Sequence, residues 1–183
     1  MTRLFDIFFS FIGLILLCPI LVALIIIGFF DTGYPIFCQE RVGMHKNPFR
    51  LMKFRSMHLN APSVATHLAS ASSITPFGSF LRKSKLDELP QLWNVLVGDM
   101  SLVGPRPNLF NQEDLIAERD SLGVYSVRPG ITGLAQINKI DMSTPKLLAE
   151  TDAKMIQELN YLVYIKYIFL TVFGKGFGDR IKN

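Results

Sequence analysis

From Ile7 to Phe30 the chain carries no charged side chain over 24 residues, and this run limits every fold available to it. At 1.5 Å per residue a straight helix of that length reaches about 36 Å, enough to cross a hydrocarbon core of about 30 Å. The run is too long for a cleavable signal peptide and has no small-x-small cleavage site. Pro19 falls in its middle, where it removes one backbone hydrogen bond and crowds the preceding turn. Two forms are open: a kinked single span, which membranes tolerate, or a re-entrant hairpin that enters and leaves by the same face. Arg41, Lys46, Arg50, Lys53 and Arg55 put the C-terminal side in the cytoplasm. The N-terminal flank offers only Arg3 and the terminal amine, so charge favours neither form.

Composition sharpens this picture. Of the 34 Asp, Glu, Lys and Arg residues, only Arg3 and Asp6 lie in the first 30 positions. The remainder has a nearly ordinary charge density. The chain therefore reads as a membrane segment joined to one globular domain, which excludes a disordered chain, a collagen-like fibre and a multi-span transporter. The net charge of +4 belongs entirely to the part after residue 30. A basic face beside an apolar anchor suits an anionic membrane surface or a phosphate-rich substrate; no nucleic-acid recognition motif is present. Cys18 lies inside the apolar run and Cys38 outside it, so a disulfide is not expected. His45, His58 and His67 lack zinc-site spacing. The pattern fits a reducing cytoplasm.

Along the rest of the chain, Asp31-Thr32-Gly33 signals a turn, and Phe49 to Met57 suits a half-buried strand with Lys53 and Arg55 on one side. Residues 58–76, rich in Ser, Ala and Thr, read as a loop or loosely packed helix that could serve as a lid. A helix is expected over Glu88–Val97, with Pro90 in its first turn and Gly98 closing it. A polar helix is expected near Gln112–Ser121, and beyond Thr144-Pro145 one helix running almost to Phe173. Its apolar stripe faces either the core or a membrane interface. The Gly-rich end, 174–183, reads as a flexible tail.

Asp87-Glu88 is the only adjacent acidic pair set among basic residues, within Leu81-Arg82-Lys83-Ser84-Lys85-Leu86-Asp87-Glu88-Leu89-Pro90. Such a pair can simply start a helix. With Arg82, Lys83 and Lys85 close by, it is also held ionised, and ionised carboxylates serve as nucleophiles toward phosphorus or as magnesium ligands. In Gly104-Pro105-Arg106-Pro107 two prolines stiffen the backbone, so the guanidinium direction is largely preset, as a phosphate clamp requires. An exposed loop arginine is an equal reading, and Arg128 in Arg-Pro-Gly shares that ambiguity.

The stretch from Phe80 through Leu-Asp-Glu-Leu-Pro-Gln to Val103-Gly-Pro-Arg-Pro107 resembles the signature of bacterial monotopic phosphoglycosyl transferases, the initiating sugar transferases of polyprenyl-linked glycan assembly. Lys53-Phe-Arg-Ser-Met57 and Val127-Arg-Pro-Gly-Ile-Thr-Gly-Leu-Ala-Gln136 match two further blocks in the right order. The resemblance implies that Asp87 attacks the sugar-bearing phosphorus of a UDP-sugar, releasing UMP. Polyprenyl phosphate (undecaprenyl phosphate) then takes the phosphosugar from the carboxylate. It implies magnesium held by Glu88, and phosphate binding by Arg82, Arg106 and Arg128, with Arg55 a weaker candidate. It further implies residence at the bacterial inner membrane with the catalytic part on the cytoplasmic face, at the first membrane step of surface glycan assembly.

The resemblance also favours the re-entrant form, broken here at Cys18-Pro19 where relatives carry Ser-Pro; a thiol satisfies the freed carbonyl less well than a hydroxyl. Ser72-Ser73 and Ile137–Leu148 depart from the family pattern. The expected architecture is mostly α with a small β element: a membrane-embedded helix over 1–30, then a catalytic domain over 31–173 with amphipathic interfacial helices, then the tail. A non-catalytic, membrane-anchored basic binding module fits the composition equally well; the acidic pair beside arginines separates the two. The sequence carries no signature of oligomeric state.

Overall fold

The computed structural model describes residues 2–61 and 71–173. The uncharged run forms a single long helix, α1 (Arg3–Thr32), with Pro19 inside it, and Gly33 closes it in the left-handed region at φ 77°. Cys18-Pro19 therefore lies within a helix that continues on both sides. Cys18 and Cys38 are both free and exposed.

A β-hairpin follows. β1 (Ile36–Val42) and β2 (Pro48–Phe54) pair antiparallel from Ile36↔Phe54 to Val42↔Pro48. β2 ends at Phe54, short of the expected Met57. Its Lys53 is buried, and Arg55 stands beyond the strand. The segment expected as a loop or lid is described only in part, since positions 62–70 lie outside the described residues. Its end holds a short antiparallel bridge, Met57↔Ile74, and then a helix that the sequence reading missed, α2 (Pro76–Ser84). Thr75 caps α2 by accepting from the Gly78 amide; Pro at the first helical position is a standard start signal.

The expected helix over Glu88–Val97 starts later than predicted. Lys85 closes α2 in the left-handed region at φ 59°. The chain then makes one 3₁₀ turn, Leu86–Glu88, and α3 occupies Gln91–Val97. Pro90 has no N–H with which to extend the ladder, so the acidic pair lies in the turn between two helices. Gly98 ends α3 at φ 105°, a conformation that favours glycine.

β3 (Ser101–Val103) and β4 (Gly130–Thr132) pair in parallel, Ser101↔Gly130 and Val103↔Thr132. Between them lies α4 (Glu113–Ser121), close to its expected span. After β4 come α5 (Leu134–Ile137), α6 (Pro145–Glu158) and α7 (Tyr161–Val172). The single helix expected after Pro145 is thus broken: Leu159 is extended, and the Asn160 side chain accepts from the Leu162 and Val163 amides, starting α7 afresh. The predicted tail at 174–183 lies outside the described residues.

The largest core cluster joins β2, α3, β3, α6 and α7 through Leu51, Val95, Met100, Leu102, Val103, Met155, Tyr164 and Tyr167. α1 is fastened to this body near both ends. At its start, Arg3 donates to the Val95 and Leu96 carbonyls at 2.5 and 2.8 Å. Asp6 Oδ1 accepts from Ser101 Oγ, the Leu102 amide and Tyr164 Oη at 2.8, 2.8 and 2.7 Å. Toward its end, Leu24 packs with Phe54 and Leu81, and Gly28 lies against Pro35. The outward face remains bare: Leu4, Phe8, Leu16, Ile26 and Phe30 are among its exposed residues. α7 adds exposed Leu162, Phe169 and Val172, and Phe5 meets the Tyr161 ring at 5.5 Å between centroids.

Candidate active site

Three sequence blocks converge on the turn between α2 and α3. Asp87 is 2 % exposed and Glu88 8 %, unusual burial for carboxylates without a role. Arg106 reaches Glu88 with Nη2 2.6 Å from Oε1. Arg82, in the last turn of α2, donates from Nε to Ser56 Oγ at 2.8 Å; this ties the block around Lys53–Met57 to the one that carries the acids. Lys85 belongs to the same turn, and its Nζ is buried with no hydrogen-bond partner, a state that favours an incoming anion.

Arg106 has its direction set by its backbone. Pro105 O accepts from the Gly130 amide at 2.8 Å, and the Gly104 amide donates to Thr132 O at 2.8 Å. The Arg128–Gln136 block thus forms the back of the Gly-Pro-Arg-Pro segment. The approach is so close that a Cβ on Gly130 would fall on the Gly104 backbone.

The structure joins Glu88 to Arg106, with Asp87 beside Glu88 in the same turn, and ties Arg82 to Ser56. It gives two other predicted residues partners of their own. Arg128 Nε donates to Gly98 O at 2.8 Å, at the C-terminal end of α3. There it joins Arg3 in satisfying carbonyls at the negative end of the helix. Arg55 donates from Nε to Tyr34 O at 3.0 Å, and its guanidinium stands 5.3 Å from the Phe37 ring centroid. Sequence reasoning passed over Ser56 and the buried Arg119–Asp152 pair; neither has a local signal, since their partners are distant in sequence.

Among the described residues, no group of three or more His, Cys, Asp or Glu side chains could hold a metal ion. The acidic pair still fits magnesium. That ion is commonly held by one or two carboxylates, with substrate phosphates and water completing its shell.

Known proteins match the chain over most of its length. A family model described as bacterial sugar transferase matches residues 1–176. A UDP-glucose:undecaprenyl-phosphate glucose-1-phosphate transferase of Klebsiella pneumoniae is 40 % identical over 193 residues, covering 97 % of this chain and 40 % of that protein. A sugar transferase of Bacillus subtilis (strain 168), EpsL, is 36 % identical over 173 residues, covering 94 % of this chain and 85 % of its own length. A UDP-galactose-lipid carrier transferase of Erwinia amylovora is 39 % identical over 155 residues, covering 75 % and 32 %. The chain thus spans about two fifths of the Klebsiella protein and most of EpsL. With the family model spanning nearly its whole length, the chain belongs to the bacterial sugar transferase family.

Proposed function

We propose that this chain transfers a sugar 1-phosphate from a UDP-sugar to a polyprenyl phosphate such as undecaprenyl phosphate, by way of an aspartyl phosphosugar on Asp87. One observation carries this reading: a buried Asp-Glu pair in which Glu88 is clasped by Arg106. A non-catalytic basic module has no use for buried acids in a basic site.

In the first step an Asp87 carboxylate oxygen attacks the sugar-bearing phosphorus. An aspartyl O–P bond forms, the diphosphate bridge breaks, and UMP leaves with the bridging oxygen and its electron pair. In the second step an oxygen of polyprenyl phosphate attacks the same phosphorus and expels the Asp87 carboxylate, which is regenerated. The obstacle is an anion approaching an anionic diphosphate. Arg106, Arg82 and Lys85 supply the cations that offset this repulsion. Glu88 would hold magnesium, which when bound supplies further neutralisation of the phosphoryl oxygens. Arg55 and Arg128 are assigned here to holding the domain together. The Klebsiella and Erwinia relatives are named for UDP-glucose and UDP-galactose, so hexose donors head the test panel.

The same reading gives α1 a re-entrant course at the inner membrane, with the site on the cytoplasmic side. Thirty residues of helix extend about 45 Å if straight. Asp6 and Leu24 both pack on one globular body, which supports both ends lying on one side of the bilayer that the bare apolar face enters. Lipid then covers the exposed faces of α1 and α7.

The deciding experiment measures UMP release by purified chain with magnesium across a UDP-sugar panel. Asp87→Asn is expected to abolish release, and Glu88→Gln to weaken the magnesium dependence. Donor without lipid acceptor is expected to leave a phosphosugar mass on the peptide that contains Asp87. An Asp87→Asn enzyme with undiminished release, or an adduct on another peptide, refutes the assignment.

A further inference from the structure

Arg119 on α4 is 1 % exposed, and Asp152 on α6 is fully buried. Arg119 Nε and Nη2 donate to Asp152 Oδ2 at 3.1 and 2.6 Å. Its Nη1 turns the other way and donates to the carbonyl of Arg106 and to Asn108 Oδ1, both at 2.9 Å. Tyr125 Oη donates to the same Asn108 oxygen at 3.0 Å. Burying an ion pair this deeply is a poor way to gain stability, so its placement on one backbone carbonyl calls for another reason.

The reason lies in Pro105–Leu109. Pro105 and Pro107 have no N–H, so this stretch is fastened largely through its carbonyls. Each of the five carbonyls has a donor. Pro105 O takes the Gly130 amide at 2.8 Å, and Arg106 O takes Arg119. Pro107 O takes Arg41 Nη1 at 3.3 Å, Asn108 O takes the Val42 amide at 3.0 Å, and Leu109 O takes Asn108 Nδ2 at 3.0 Å. Four of these donors come from β1, α4 and β4, so the segment is held on three sides, and the fifth, Asn108, is its own. Only its one guanidinium, that of Arg106, reaches out to Glu88.

We infer that Arg119, locked by Asp152, is a positioning residue: it fixes the carbonyl of Arg106 and so aims the Arg106 guanidinium at Glu88 and the transferred phosphoryl group. The kinetic consequence rests on the proposed reaction; the geometric one does not. Small misplacement of a supporting group commonly costs about 10–100-fold in activity.

The test uses the full chain in detergent, with arginine side-chain NMR and radiolabelled UMP release. Arg119→Lys keeps the charge and loses the fork that spans Asp152 and the Arg106 carbonyl. Should it fail to fold, Tyr125→Phe removes one hydroxyl from the same network and keeps the space filled. The Arg106 guanidinium resonance, assigned by its loss in Arg106→Ala, is expected to broaden or move toward the free-arginine position. UMP release is expected to fall by about 10–100-fold for Arg119→Lys and less for Tyr125→Phe. Added to Arg106→Ala, either change is expected to cost nothing further, because it acts through a side chain already removed. An unmoved Arg106 resonance, or losses that multiply, overturns the assignment. Wild-type chain that releases no UMP would defeat the proposed reaction, and the resonance alone would then decide the positioning role.

Discussion

Asp6 offers the clearest quantitative test of how α1 is joined to the rest of the chain. Its carboxylate is 1 % exposed, and a single oxygen accepts from Ser101, Leu102 and Tyr164. Asp6→Asn keeps the shape and an accepting oxygen but removes the charge. A hydrogen bond to a charged group contributes about 1.5–3 kcal/mol, against about 0.5–1.5 for a neutral pair. Each of the three bonds therefore loses about 1 kcal/mol, and the variant about 3 kcal/mol. For a chain of this size each kcal/mol moves the melting temperature by about 2–4 °C, so a fall of about 6–12 °C is expected. The assay is thermal unfolding of full chain in nanodiscs at fixed scan rate, followed by circular dichroism. Tyr164→Phe removes one donor and should cost about 1 kcal/mol, and the double variant should lose less than the sum, since the two groups share a bond. If Asp6→Asn melts within about 2 °C of wild type, or the two losses simply add, Asp6 does not tie α1 to the body in the way its geometry implies.

Arg106→Ala is expected to lower kcat/KM for UMP release far more than Arg128→Ala, whose main effect should be a loss of about 1 kcal/mol in stability through its bond to Gly98; equal kinetic damage with unchanged melting would return Arg128 to the phosphate site. Burial raises the hydroxyls of Tyr125, Tyr164 and Tyr167 above the usual tyrosine range, and at Tyr164 the hydrogen bond to Asp6 adds to it. The unfolded chain then loses these protons first, so stability should be intact below about pH 10 and fall above it, with their tyrosinate absorbance appearing only on unfolding. With Cys18 and Cys38 replaced by Ser, a membrane-impermeant maleimide should label cysteines placed at Thr2 and Gly33 from the cytoplasmic side alike; labelling of position 2 only from the opposite side would establish a span. Gly130→Ala should push the Arg106 segment off β4 and cut activity, and wild-type turnover in that variant would show the approach to be unimportant.

The long apolar helix, the polar helix near α4, the acid pair and the arginine between two prolines could all be read from the residues themselves, because periodicity, charge-free length and proline chemistry act locally. The breaks around α3 and α7 were harder to see. They depend on a left-handed Lys85 and on the Asn160 cap, neither of which shows in the apolar pattern. The parallel β3–β4 pair was invisible for another reason: its three-residue strands lie far apart in the chain, and only contact makes them strands. The partners of the arginines were likewise decided in three dimensions. Arg55, Arg106, Arg119 and Arg128 are chemically the same side chain, each always charged. What distinguishes them is which oxygen the fold brings within about 3 Å of each guanidinium, and that depends on packing between segments remote in sequence.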